Sequence, residues 1–357
     1  MNIVESTRRY EAWLKTKTAL NHKHVALKHT LMKEGVFAFL RATFYRWIQI
    51  WPQVCADLIP APAVLSVADL HIENFGTWRD SEGRLIWGVN DFDEAYTLPY
   101  TNDLVRLAAS AVLAISENQL ELNSIDACGA ILSGYMKGLE KGGRPFVLEE
   151  DHKNLRAMAF GNLRDPRRFW TKLTAQKKMK GSVPKAVMKI FDEVMPKASS
   201  PFELVSRVSG LGSLGRFRVV AIAEWHGGKV AREVKALAPS ACLWARNGES
   251  NKILYQTILE RAVRCRDAFV HVTGPWISRR LSPHCCRIAL ADLPQKRDEY
   301  RLLHAMGWET ANIHLGSRES IAGIKRDSAK RRAAWLQEAA EAMLKATTRD
   351  WKDWKSS

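Results

Sequence analysis

Apolar positions recur at three- and four-residue intervals through the first part of the chain. Between Ser6 and Trp51 the set Val36, Phe39, Leu40, Thr43, Phe44 and Trp47 predicts a core helix that Pro52 ends. Pro60, Pro62 and a β-branched run then lead to Val67. The pattern changes to short β-type runs at Phe75 to Trp78 and Arg84 to Val89, and the polar, glycine-containing Arg79-Asp80-Ser81-Glu82-Gly83 between them predicts a hairpin turn. Helical spacing returns at Asp103 to Glu117, with Leu104, Leu107, Ala108, Ala111 and Val112 on one face and Asp103 placed to act as an N-cap. A further helix is expected from Ser124 to Lys141, closed by Gly142-Gly143.

Gly181-Ser182-Val183-Pro184 interrupts the next stretch, and Pro196 to Pro201 reads as a linker. Beyond it the chain turns β-rich. Leu204 to Val208, Phe217 to Trp225, a turn at His226-Gly227-Gly228 and Val230 to Lys235 predict a three-strand meander. A helix from Asn251 to Arg266 is expected behind that sheet, then strands at Trp276 to Leu281 and Arg287 to Leu290. From Leu293 the pattern is helical, and Trp335, Leu336, Ala339, Ala340 and Met343 make an apolar face. The expected class is α+β, mostly helical with a small antiparallel sheet. The expected divisions are a helical part over 1–195, a glycine-rich β part over 196–295 and C-terminal helices over 296–357 that pack back on the first.

Chemistry concentrates between Val67 and Glu94. Asp69 and Asn74 stand five positions apart on one loop, the hairpin follows, and its second strand runs into Asp91-Phe92-Asp93-Glu94. Metal-assisted phosphoryl transfer needs a carboxylate to orient or deprotonate the attacking hydroxyl, and oxygen ligands that hold Mg²⁺ against nucleotide phosphates. Asp69 would be the base, and Asn74 and Asp91 the metal ligands. Asp93 would either join the metal site or cap a turn, and Glu73 and Glu94 would lie at the surface or behind the ligands. His71 has no second His or Cys at ligand spacing and would brace the loop through a hydrogen bond.

The meander carries a second candidate. Gly210, Gly212, Ser213 and Gly215 form a G-x-G-x-x-G turn between strands, where a dinucleotide site would need a helix to follow. Such a turn is common in unrelated loops, but here Lys235 follows on the third strand. Glycines that let the backbone close over phosphates, with a lysine paired to them, are the parts of a kinase nucleotide lobe. Glu260 or Glu249 would hold the lysine. The order is reversed, because Lys235 follows Asp69 by 166 residues.

The stretches VADLHIENFG and VNDFDEA resemble the catalytic and metal loops of aminoglycoside phosphotransferases and choline kinases, and Asn102-Asp103-Leu104 resembles the Asp-Leu-Ala that opens their next helix. More closely, the chain resembles the bacterial domain of unknown function 2252 family, grouped with the protein-kinase-like fold. FAFLRA (Phe37 to Ala42), GLGSLGRFR (Gly210 to Arg218), VAREVKA (Val230 to Ala236) and GWETANIHLGS (Gly307 to Ser317) carry that resemblance beside the central stretch. Ala68 stands where the family has Gly. The resemblance implies a two-lobed kinase-like fold, ATP and Mg²⁺ as cofactors, and Arg41 as a phosphate contact, and the reversed order of lysine and catalytic loop would then mean permuted lobes or an insertion that reaches back to the site.

Composition narrows the class. At 357 residues with 46% hydrophobic and 26% charged positions the chain is globular. Its apolar runs are too short and too charged for a membrane span, and the mixed-charge N-terminus argues for a cytoplasmic protein. The six cysteines, including Cys285-Cys286, lack repeated C-x-x-C spacing and read as buried thiols. The net charge of +16 is uneven: 152–189 holds eleven Lys and Arg against Asp165 alone. Such a bias attracts nucleic acid or acidic partners. The segment lacks interleaved aromatics and any zinc-finger or RNA-recognition signature, so a solvated face is expected. Two rivals to the phosphotransferase reading remain: a non-catalytic, pseudokinase-like nucleotide-binding regulator and a basic nucleic-acid-binding protein.

Overall fold

The computed structural model describes residues 1–117, 120–161, 165–197, 199–285 and 298–357. The protein is mixed α+β and about half helical, with small antiparallel sheets. Helices α1 (Ile3–Lys17), α2 (His22–Glu34), α3 (Val36–Ala42) and α4 (Phe44–Val54) come first. Asn2 and Asn21 cap the first two by accepting from the Glu5 and His24 amides. Pro52 does not end α4. It sits in the last turn, where only its own missing N–H is lost, and Cys55 N still donates to Trp51 O at 2.9 Å.

Strand β1 (Ala63–Ser66) leads to a hairpin of β2 (Phe75–Arg79) and β3 (Leu85–Val89), then β4 (Tyr96–Pro99) returns to pair with β1. Helix α5 (Tyr100–Ser116) is buried along most of its length, and α6 (Ser124–Lys141) follows. Asn123 caps α6 and Gly142, at φ +74°, ends it as the sequence predicts. Strand β5 (Phe146–Val147) extends the hairpin sheet. Helices α7 (Lys153–Gly161), α8 (Pro166–Thr174) and α9 (Lys185–Val194) occupy the basic region.

The second sheet is built from β6 (Glu203–Ser206), β7 (Arg218–Trp225) and β8 (Gly228–Ala236), the predicted meander. Short helices α10 (Ala241–Ala245) and α11 (Tyr255–Arg261) precede β9 (His271–Thr273) and β10 (Trp276–Leu281). The sheet order is β6-β7-β8-β10-β9. The helix expected over 251–266 shrinks to α11, because Val263 N bonds to Asn312 O at 2.9 Å and draws the chain out of helical register. The strand expected from Arg287 to Leu290 lies outside the described residues.

Helices α12 (Asp298–His314), α13 (Ile321–Lys330) and α14 (Trp335–Lys355) complete the fold. Helix α12 crosses α6 at backbone contact. A Cβ on Gly134 would sit 1.9 Å from His304 O, and one on Gly307 would sit 2.0 Å from Ile131 O. Cys55, Cys128 and Cys242 are buried as expected, whereas Cys265 and Cys285 are only partly buried. Among the described residues no helix is long and apolar enough to cross a membrane.

Candidate functional site

The loop after β1 is shaped by one carboxylate. Asp103 is not a helix cap: Pro99 precedes α5 in that position, and Asp103 lies fully buried in the first turn. Its two oxygens accept from Val67 N and Ala68 N, each at 2.8 Å, and His314 Nε2 lies 3.0 Å from Oδ2. His314 Nδ1 in turn meets the Tyr135 hydroxyl at 2.9 Å. This clamp holds Ala68 at φ +70°, a left-handed conformation that strains any residue with a Cβ. The turn delivers Asp69 to the floor of a polar cavity of about 60 Å³.

Asp69 is held by Arg106, whose Nε donates to Oδ1 at 2.8 Å and whose Nη2 reaches the same oxygen. Arg106 is fully buried, donates to Leu40 O at 2.9 Å, and lies over the Phe44 and Trp47 rings at 5.1 and 4.9 Å. Burial pushes the Asp69 carboxyl up to about 6, against the pull of Arg106. Asn74 Nδ2 donates to the Asp69 carbonyl at 2.6 Å, which leaves Asn74 Oδ1 as the atom available to a cation. His71 braces the loop as expected, its Nδ1 accepting from Glu73 N at 3.2 Å.

Beyond β3, Asp91 keeps a carboxylate that is 38% exposed and lines both this cavity and a neighbouring one of about 370 Å³. Its pKa is raised by burial and by the charge of Asp93. Asp93 is engaged by the two cations beside it. It accepts two bonds from Lys235 Nζ, at 2.6 and 2.7 Å, and Arg216 stands 3.5 Å away. Burial opposes its ionisation, yet Lys235 and Arg216 hold its carboxyl well below the ordinary range. The partner expected for Lys235 was Glu260 or Glu249, but both are exposed and Glu260 bonds to Gln256. Lys235 Nζ also lies 3.8 Å from Asp91 Oδ1, so residues 144 positions apart in the chain share one site. Glu94 is buried rather than superficial, accepting from Ala241 N at 2.7 Å with Arg216 at 3.3 Å.

The glycine turn closes over the same place. Gly210, Gly212 and Ser213 line the small cavity, and a Cβ on Gly212 would lie 3.2 Å from Arg41 O and 3.6 Å from Asp69 Oδ2. Lys28, whose amine burial pushes down to about 8, donates to Gly212 O at 3.3 Å. Gly215 stands apart, at φ +105° against Val25. Arg41 lines the cavity and pairs with Glu73 at 2.6 Å. The structure therefore brings together Asp69, Asn74, Asp91, Lys235, Arg41, Gly210, Gly212 and Ser213, and leaves out Gly215.

Several participants are absent from the sequence reading. Arg106 did leave a signal: a lone cation in the apolar run Leu104 to Ile115 must find a buried partner. Arg216 and Lys28 left none. Glu233, one residue from Val234 on β8, is fully buried between Arg207, Arg218 and Arg279, which hold it well below the ordinary carboxylate range against the cost of burial.

Asn74 and Asp91 offer oxygen donors only, which suits a hard divalent cation. Among the described residues no group of three or more His, Cys, Asp or Glu is arranged to hold a metal. Were Mg²⁺ to bind, which commonly takes one or two carboxylates and completes its shell with phosphate and water oxygens, Asn74 and Asp91 would be the residues to hold it.

Residues 21–189 match the model of a family described as an uncharacterized protein conserved in bacteria (DUF2252). No curated protein and no solved structure matches the chain. The matched stretch holds Arg41, Asp69, Asn74 and Asp91 and ends before the glycine turn and Lys235.

Proposed function

We propose that this chain is an ATP- and Mg²⁺-dependent phosphotransferase acting on a hydroxyl of a small-molecule acceptor, with a two-lobed, protein-kinase-like architecture whose lobes occur in permuted order. The observation that carries the reading is the meeting of Lys235 with Asp91 and Asp93 beside Asp69 and the glycine turn. Catalytic-loop, metal-loop, lysine and glycine-turn candidates come from distant parts of the chain, and phosphoryl transfer needs all of them around one nucleotide.

In this reading Asp69 takes the acceptor's proton or orients its hydroxyl. Arg106 fixes the carboxylate in place, and a pKa near 6 leaves it ionised yet basic enough to act near neutral pH. Asn74 and Asp91 would hold Mg²⁺, which would supply charge neutralisation on the phosphates. Lys235, oriented by Asp93, and the backbone of Gly210 to Gly215 position the phosphates. The cavity at Asp69, about 60 Å³, suits a hydroxyl-bearing group of a small molecule. The chain supplies position and electrostatics and forms no covalent intermediate.

A second reading, a nucleotide-binding regulator without turnover, is favoured by one observation. Asp69 is already ion-paired to Arg106 and covered by the glycine turn at Gly212. Calorimetry and phosphate-transfer assays with Mg-ATP on the parent and Asp91→Asn test both. Binding and turnover by the parent, both lost in Asp91→Asn, are expected of the phosphotransferase. Binding without any turnover selects the regulator, and unchanged affinity and rate in the variant remove Asp91 from the metal site.

A further inference from the structure

The cavity of about 370 Å³ beside Asp91 falls in the size range of small-molecule sites, and its wall is dominated by guanidinium groups. Arg207, Arg218 and Arg279 are partly neutralised by Glu233 behind them. Arg266 is exposed at the rim, and Arg280 is anchored to the Arg79 carbonyl at 3.1 Å. The carboxylates on the wall are Asp91 and Asp267, so the cavity carries an excess of positive charge.

Arg264 differs from its neighbours. Its plane lies over the Trp78 and Phe92 rings, each at 4.9 Å, and its Nη2 donates to Val89 O at 2.9 Å. Its Nε and Nη1 are buried without a hydrogen-bond partner, as is Nε of Arg280. The guanidinium groups that line the cavity, rigid and always charged, suit the oxygens of a phosphate or carboxylate. Several guanidinium groups around one cavity favour a ligand with more than one negative charge.

We infer that this cavity takes a polyphosphate group and that Arg264, fixed between Trp78 and Phe92, is a phosphate-contacting residue. The inference rests on the phosphotransfer reading for the source of the group, a nucleoside triphosphate whose phosphates reach Asp91 from this side. The chemistry itself is shared with inorganic polyphosphate. Arg264 lies on the connection after α11, outside the glycine turn and lysine strand, so no kinase-type motif marks it.

The test is titration calorimetry on the full chain with Mg-ATP, tripolyphosphate and adenosine, for the parent, Arg264→Met and Arg264→Lys. Methionine keeps apolar packing between the two rings, and lysine keeps charge without the planar fork. Tripolyphosphate and Mg-ATP should bind the parent with salt-dependent affinity, adenosine should bind far more weakly, and Arg264→Met should lose about ten- to a hundredfold for both phosphates. If the methionine variant does not fold, the lysine variant decides, with a loss of about tenfold expected. No binding of tripolyphosphate to the parent, or parent-like affinity in a folded variant, overturns the inference. Parent-like affinity in Arg264→Met alongside Mg-ATP turnover that Asp91→Asn abolishes would sink the inference and leave the phosphotransfer reading standing. Tripolyphosphate binding that depends on Arg264 without any transfer from ATP would do the reverse.

Discussion

Replacing Lys235 by Met tests the joint between the two halves of the site. Lys235 and Asp93 are 3% and 10% exposed and share two short bonds, at 2.6 and 2.7 Å. Removing one partner of a buried ion pair costs about 3–5 kcal/mol, because the other charge is stranded. Arg216 remains 3.5 Å from Asp93 and shares the burden, so the loss should sit at the low end, about 3 kcal/mol. With unfolding entropy of about 2.1 cal/mol/K per residue, that lowers the melting temperature of a chain this long by about 4 °C. Adding Asp93→Asn to Lys235→Met removes the stranded charge and should recover more than about 1 kcal/mol, a coupling that denaturant unfolding of the four cycle members measures. Mg-ATP affinity should fall about ten- to a hundredfold in Lys235→Met and should not return in the double variant, since the added amide restores no cation to pair with phosphate. Independent, additive stability losses would refute the buried pair. Parent-like nucleotide binding in the single variant would remove the β8 lysine from the nucleotide site and confine the kinase-like reading to the stretch from Asp69 to Asp91.

Three further expectations follow from the same geometry. Asp69→Asn should preserve Mg-ATP binding and slow single-turnover transfer by about a hundredfold or more, and transfer at the parent rate would exclude Asp69 as the base. Neutralising Lys177, Lys178 and Lys180, which lie outside both cavities, should leave transfer nearly unchanged. A large, salt-dependent loss would show that the basic segment recruits an anionic partner such as nucleic acid. Glu309 accepts from Val89 N and Asn312 Nδ2 and is almost fully buried. Burial raises its carboxyl from 4.5 to about 7, opposed by Arg264. The folded state therefore binds more protons than the unfolded one between those values. This contribution to stability is full below pH 4.5 and falls by about 3 kcal/mol as pH rises through 7. Glu94, also raised to about 7, adds a slope of the same sign, so melting temperature should fall between pH 5 and 7.5, less steeply in Glu309→Gln. A flat or rising profile would contradict this.

Local pattern determined much of the protein. The hairpin of β2 and β3, the span and ending of α6, the three strands β6 to β8 and the strand β10 were legible because periodicity, caps and turn residues act over a few positions. The candidates Asp69, Asn74 and Asp91 were legible because their types and spacing lie within one stretch of chain. Where local rules met tertiary contacts, the contacts prevailed. Asp103 has the residue type of a cap, yet it lies inside the first turn of α5, where the buried amides of Val67 and Ala68 and the ring of His314 claim it. The 251–266 helix is cut short by a bond to α12. Lys235 takes no carboxylate from the helix that follows its sheet, and only the approach of β8 to the end of β3 supplies Asp93. Arg106 stands out in sequence as a lone cation in an apolar run, but only the packing of the buried helix α5 shows that its partner is Asp69. Pairings of buried charge depend on distances set by packing across the whole fold. The sequence by itself therefore determined which groups were available, and the tertiary structure decided which of them meet.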